Sequence, residues 1–218
     1  MAAILYYVHD PMCSWCWGYQ PAFARLKAKL PETVEVRAVL GGLAPDSDEP
    51  MPEEMQQMLQ QTWRRIEGQL GTSFNHDFWA TCRPRRSTYP ACRAVLAAEC
   101  QGQGDAMTAA LQKAYYLRAM NPSDTETHCL LAGELNLDTV RFARDLASPA
   151  VQARLEDHLA FTAALGVSGF PSLVLEINGQ RWPIAVAYRN ELTSLNDIQD
   201  KMNWVNTKEK FSRLFFRS

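Results

Sequence analysis

The chain has 218 residues, enough to bury a hydrophobic core without covalent staples. Hydrophobic residues make up 47% and charged residues 21%, which excludes a disordered chain. The net charge of −2 offers no global attraction to nucleic acid or to an anionic membrane.

The N-terminus carries no basic stretch ahead of an apolar run, so no signal peptide is expected. No apolar run is long enough to span a bilayer. The chain is read as cytoplasmic. Residues 3–8, Ala-Ile-Leu-Tyr-Tyr-Val, predict a buried strand, broken by His9-Asp10-Pro11. A helix is predicted from about Cys13 to Leu30, with Phe23, Leu26 and Leu30 on one face and Pro31 as its stop. Residues 33–40 alternate and predict a second strand, parallel to the first through a right-handed crossover.

Residues 44–53 hold four acidic residues and three prolines and read as a connector. From Glu53 to Leu146 the pattern is helical throughout. Helices are predicted over 53–69, 74–80, 89–101 and 105–119, with further starts at Asp124 and Asp138. Ser87 and Thr88 are expected to cap the third of these. A helix over 149–165 opens at Ser148-Pro149. A strand over 172–177, an Asn178-Gly179 turn and a partner strand over 181–186 follow, and Pro183 argues for a sheet edge. A last helix is predicted over 191–203, then a basic, aromatic tail.

The domain reading is therefore a first half over 1–45, a helical insertion over 46–147, a second half over 148–204 and a C-terminal extension over 205–218. The fold class is α/β, a mixed central sheet flanked by helices with a large all-helical insertion after the second strand.

Six cysteines sit at 13, 16, 82, 92, 100 and 129. Only Cys13 and Cys16 have motif spacing, and the other four read as buried small hydrophobes. The Cys13-Ser14-Trp15-Cys16 segment lies where the first strand feeds the first helix. Unpaired N–H groups at a helix start favour a thiolate, so Cys13 is expected to be the nucleophile and Cys16 the resolving thiol one turn further in. A structural zinc site would need two more ligands, and no second pair has the spacing. No metal is expected. Gly169-Phe170-Pro171 directly precedes the third strand, which suggests a cis-proline that leaves the Phe170 backbone free to pair with substrate.

These two motifs and the element order resemble the thioredoxin fold. The helical insertion resembles the DsbA-like thiol–disulfide oxidoreductases. The string Asp10-Pro11-Met12-Cys13-Ser14-Trp15-Cys16-Trp17-Gly18, with Ser87-Thr88-Tyr89-Pro90-Ala91-Cys92 in the insertion, is most similar to the FrnE-type branch. That branch is related to 2-hydroxychromene-2-carboxylate isomerases and kappa-class glutathione transferases. The resemblance implies Cys13 as attacking thiolate, Cys16 as resolving thiol and Pro171 as a cis-proline facing them. One departure is that Ser14-Trp15 supplies no cation between the cysteines, where DsbA has a histidine.

Trp15, with Phe170 and Ser14, is expected to contact substrate, with Trp15 an exposed docking ring. His9 and Asp10 are candidates for a proton relay to the thiols. His76, His128 and His158 read as surface residues. The leading function is thiol–disulfide exchange with protein or low-molecular-weight thiols and disulfides as partners. It needs no cofactor, and glutathione is a possible co-substrate. Alternatives are a glutathione-dependent isomerase or transferase, and a redox-regulated partner-binding module.

Overall fold

The computed structural model describes residues 3–215 of the backbone. Strand β1 (Ala3–His9), helix α1 (Ser14–Lys29) and strand β2 (Val34–Leu40) form the first unit, with β1 and β2 parallel. Leu30 ends α1 in an extended conformation, as a residue before proline prefers. After a long block of helices, β3 (Ser172–Ile177) returns antiparallel to β1. Its hairpin partner β4 (Gln180–Ile184) lies at the edge, giving the order β2-β1-β3-β4. Pro183 sits in that edge strand, where its missing N–H interrupts no central ladder.

Alternation along β1 divides the sheet into two faces. Leu5 and Tyr7 pack with Phe23 and Leu26 of α1 and with Leu195 and Ile198 of α9 (Glu191–Phe215). Tyr6 and Val8 pack with Val39 and Val174 and with Phe161 and Leu165 from α8 (Pro149–Ala164) and its C-terminal end. The α9 helix runs well past the predicted end at residue 203. No proline or glycine follows Met202, and the lysine, glutamate and leucine residues beyond it are good helix formers. Residues 216–218 of the expected extension lie outside the described residues.

Between β2 and α8 the chain is helical: α2 (Glu53–Leu70), α3 (Phe78–Thr81), α4 (Tyr89–Glu99), α5 (Gly104–Arg118), α6 (Thr125–Glu134) and α7 (Thr139–Leu146). The predicted 74–80 helix shrinks to the one turn of α3. Phe74 stacks on Trp63 and the Asn75 N–H donates to the Tyr116 carbonyl, so these residues are held as a loop. The block has its own core of Leu96, Met107, Leu111, Leu131 and Phe142, which also takes in Leu40 from β2 and Leu155 from α8. A second, aromatic core gathers Trp63, Phe78, Tyr115 and Tyr116. Helices α1 and α2 approach closely at Gly18, where a Cβ would lie 3.0 Å from the side chains of Ile66 and Leu70. Among the described residues, no helix is long and apolar enough to cross a membrane.

Two helix starts differ from expectation. Thr88 makes no side-chain cap to α4, because its hydroxyl is drawn to Asp10 instead. Asp124 makes none to α6, because its carboxylate takes Arg85 at 2.6 Å. Asp138 and Ser148 do cap, accepting from Arg141 N–H and Val151 N–H.

Candidate active site

Cys13 is the N-cap of α1. Its backbone is extended, and its Sγ accepts the Cys16 N–H at 3.2 Å. A sulfur in this place takes the position of the serine or aspartate oxygen that commonly caps a helix, so an orphan N–H of the first turn is aimed at it. The thiol in turn donates to the Phe170 carbonyl at 3.4 Å. The Phe170–Pro171 peptide bond is cis. The turn after β1 and the loop before β3 therefore meet at one sulfur.

Cys13 retains 6% of its surface and Cys16 none. Both are free thiols. Burial pushes the Cys16 thiol well above its ordinary range, and the neighbouring Cys13 adds to the rise. Ser14 is buried at the first position of α1. Trp15 is half-buried rather than freely exposed. Its ring meets Tyr188 edge-on at 5.4 Å, and the Arg65 guanidinium lies 5.5 Å from its centroid. Trp17 stacks on Tyr116 at 5.7 Å and donates its indole N–H to the Ser73 carbonyl.

Phe170 is half-buried with its ring over Gly41, and Pro171 beside it is buried. A Cβ on Gly41 would lie 2.1 Å from the Phe170 ring, so only glycine admits this contact. A groove of about 560 Å³ continues from Phe170 and Pro171 along Leu173, Arg181 and Ile184.

Asp10 is fully buried. Its Oδ1 accepts the Met12 N–H at 2.7 Å. Its Oδ2 accepts the Leu43 N–H at 2.8 Å, the Thr88 hydroxyl at 2.7 Å and the Cys92 thiol at 3.7 Å. Burial raises its pKa, and these donors pull the other way. The carboxylate thus joins the β1–α1 turn to the entrance of the helical block. His9 is also buried, stacked on Tyr7 at 4.7 Å. Burial, assisted by His158, lowers its pKa to about 4, so it is neutral at pH 7. It lines a cavity of about 290 Å³ with His158, Glu99 and Thr108, and no hydrogen bond joins it to either cysteine of the motif.

Three tyrosines surround the thiols without any motif to announce them. Burial raises the pKa values of Tyr7, Tyr116 and Tyr188, and the charge of Cys13 and Cys16 adds to each rise. The hydroxyls of Tyr7 and Tyr116 are buried without a hydrogen-bond partner.

The remaining readings divide. Cys92 is buried as expected, but Cys82, Cys100 and Cys129 are only half-buried. Their thiols sit at helix ends or on helix faces turned partly outward; Cys82 follows α3 and donates to the Ala119 carbonyl at 3.0 Å. His128 is buried rather than on the surface, held by the Pro122 carbonyl at 2.8 Å. His76 and His158 are half-buried, His76 paired with Glu67 and His158 accepting the Leu40 N–H. Among the described residues, no cluster of three or more His, Cys, Asp or Glu could hold a metal ion.

The comparisons agree with this geometry. A thioredoxin family model, Thioredoxin_5, matches residues 6–207. A candidate protein disulfide isomerase from Nitrosomonas europaea superposes with a TM-score of 0.82 at 25% identity, over 94% of this chain and 99% of that one. The cytosolic disulfide reductase DsbM from Pseudomonas aeruginosa superposes with a TM-score of 0.70 at 25% identity, over 95% and 99%. The ClpXP adapter protein SpxH of Bacillus subtilis (strain 168) is 25% identical over 172 residues, 78% of this chain and 56% of that protein. The chain therefore spans about half the length of the curated relatives it matches. With the sheet order, the inserted helices and the matched span together, the chain belongs to the DsbA-like branch of the thioredoxin family.

Proposed function

We propose that the protein is a thiol–disulfide oxidoreductase in which Cys13 exchanges with substrate and Cys16 resolves the intermediate. The observation that carries this reading is the placement of the Cys13 sulfur. It caps α1, accepts the Cys16 N–H and faces the Phe170 carbonyl beside Pro171.

In the reducing direction, the Cys13 thiol gives up its proton and its sulfur attacks one sulfur of a substrate disulfide. The substrate S–S bond breaks, a Cys13–substrate disulfide forms, and the departing thiolate takes up a proton. Cys16 then loses its proton and attacks the Cys13 sulfur. The Cys13–Cys16 disulfide forms and the second substrate thiolate leaves to be protonated. Two electrons pass from the dithiol to the substrate, and the reverse sequence oxidises a dithiol. No cofactor takes part. The helix-start N–H stabilises negative charge on Cys13 whenever it is the leaving sulfur. Trp15, Ser14 and Phe170 border the path to that sulfur and are proposed to contact substrate, with Pro171 shaping the loop that faces it.

The neighbouring DsbM, named a cytosolic disulfide reductase and also solved with glutathione, supports a reducing, cytoplasmic setting and glutathione as a co-substrate. The match to SpxH, named a ClpXP adapter, favours a second reading in which the helical block holds a protein partner and the cysteine pair modulates the grip. The similarity to a 2-hydroxychromene-2-carboxylate isomerase, at 13% identity, is one of fold.

The test is an equilibrium titration in glutathione redox buffers, with the 13–16 bond confirmed by mass. A single two-electron transition between about −120 and −270 mV supports exchange. Absence of a 13–16 disulfide at every poise overturns it, and with it any redox control of a partner, in favour of a glutathione-dependent isomerase or transferase.

A further inference from the structure

The sequence places no cation between the two cysteines, but the fold brings one from elsewhere. Arg65 lies in α2, within the inserted helices and fifty residues from the motif. Its guanidinium sits 5.5 Å from the centroid of the Trp15 ring. Among the described residues Arg65 has no carboxylate partner and is exposed, with its guanidinium over the Trp15 ring. Trp15 is itself held edge-on by Tyr188. The residue after Tyr188, Arg189, is exposed too, and its guanidinium donates to the Gln69 carbonyl of α2.

Two acidic groups on these elements face other partners. Glu67 pairs with His76, and Glu191 is held by both Arg25 and Lys29. Arg65 therefore holds a permanent positive charge on the Trp15 ring with no ion pair among the described residues. A guanidinium on an indole face keeps its outward N–H groups available while the ring fixes its position.

We propose that Arg65 is a specificity-determining residue that selects thiol and disulfide substrates carrying carboxylates beside the reacting sulfur. The inference rests on the exchange reading and names the substrate class for that same site. A sulfur approaching Cys13 brings its neighbouring residues past Trp15, within the roughly 8 Å over which charge is felt at physiological salt. An acidic flank meets the free face of Arg65, whereas a basic flank meets like charge. The effect acts on encounter and on the mixed-disulfide complex, not on the chemistry of the sulfurs.

The experiment uses three cyclic peptides of one sequence, each closed by one disulfide and flanked by two aspartates, two glutamines or two lysines. Reduced protein is mixed with each in a single turnover, and the second-order rate constants are compared. The acidic peptide is expected to react about tenfold faster than the basic one at low salt, a gap that collapses near 1 M salt. In R65E the ratio of acidic to basic rates falls to one or below. The glutamine peptide measured on the same variant removes any general loss of activity from that ratio. R64E makes the same change of net charge on the same helix and shifts the ratio less. Equal rates for all three peptides on the native protein, or a ratio that R65E leaves intact, overturns the inference while exchange itself stands. No reduction of any peptide overturns the exchange reading, and this inference with it.

Discussion

The Sγ of Cys13 lies 3.4 Å from the carbonyl oxygen of Phe170, a residue 157 positions further along the chain. Two loops with no sequence proximity thus converge on one sulfur, and each makes a separate demand on the reaction.

If Cys13 attacks and Cys16 resolves, the two serine substitutions must behave differently. Cys13→Ser is expected to lower exchange to the uncatalysed rate. Cys16→Ser should retain the first attack and accumulate a covalent adduct at Cys13. Mass spectrometry after incubation with a disulfide peptide distinguishes the two, and full turnover by the Cys13→Ser protein would rule the assignment out.

Gly41 lies under the Phe170 ring, and any Cβ there displaces it. Gly41→Ala is expected to cost about 1–3 kcal/mol of stability through overpacking. It should also slow exchange about tenfold or more, by moving the loop that faces Cys13, since small misplacements of reacting groups are costly. Chemical denaturation and single-turnover rates check the two effects independently.

Burial keeps the Cys16 thiol protonated well beyond the ordinary thiol range. Resolution of the mixed disulfide requires its thiolate. Its rate is therefore expected to rise about tenfold for each pH unit through pH 7–9, with no plateau in that interval. Stopped-flow measurement of the second phase tests this, and a plateau below pH 8 would contradict it.

The Asp10 carboxylate serves the Met12 and Leu43 N–H groups and the Thr88 hydroxyl. Asp10→Asn replaces one acceptor oxygen by a donor and is expected to destabilise by about 1–3 kcal/mol. Thr88→Val removes both the donor to Asp10 and the acceptor of the Ala44 N–H, at about 1–3 kcal/mol. Because the two share the Thr88–Asp10 bond, the double variant should lose less than the two single losses combined, as a double-mutant cycle in urea would read.

His9 carries a pKa of about 4 in the fold, against an ordinary value near 6.5. Between those values the unfolded chain binds a proton that the native state does not. Stability is thus expected to fall as the pH drops from 6.5 to 4, by about 3 kcal/mol in all, and then to level off for this group. His9→Phe keeps the stack on Tyr7 and removes the titration. Urea unfolding at pH 7.5 and 4.5 should show a smaller difference in that variant.

The strands, the cysteine motif and the Phe170-Pro171 segment were legible because each depends on neighbours in the sequence. Alternation in Val34–Leu40 and the β-branched and aromatic run in β1 report local burial directly. The site beyond the motif was not legible, because its partners are distant. Asp10 before a proline reads as a turn residue, yet its acceptors serve Leu43, Thr88 and Cys92. Thr88 before Tyr89-Pro90 reads as a cap, yet its hydroxyl reaches back 78 residues. His128 reads as a surface residue until the Pro122 carbonyl is found within reach of its ring. Arg65 lies in a helix rich in Gln, Met and Glu with no motif around it, and packing of α2 on α1 brings it to Trp15.

That packing turns on an absence. Gly18 lies two residues after Cys16, where α2 crosses α1 close enough for Ile66 and Leu70 to occupy the space of a side chain. The bare backbone there acts as a spacer of fixed thickness between the two helices. A methyl group inserted at that point would thicken it and lift α2, carrying the Arg65 guanidinium away from the indole it covers. The width of the entrance to Cys13 is thus gauged by a residue that touches neither sulfur nor substrate.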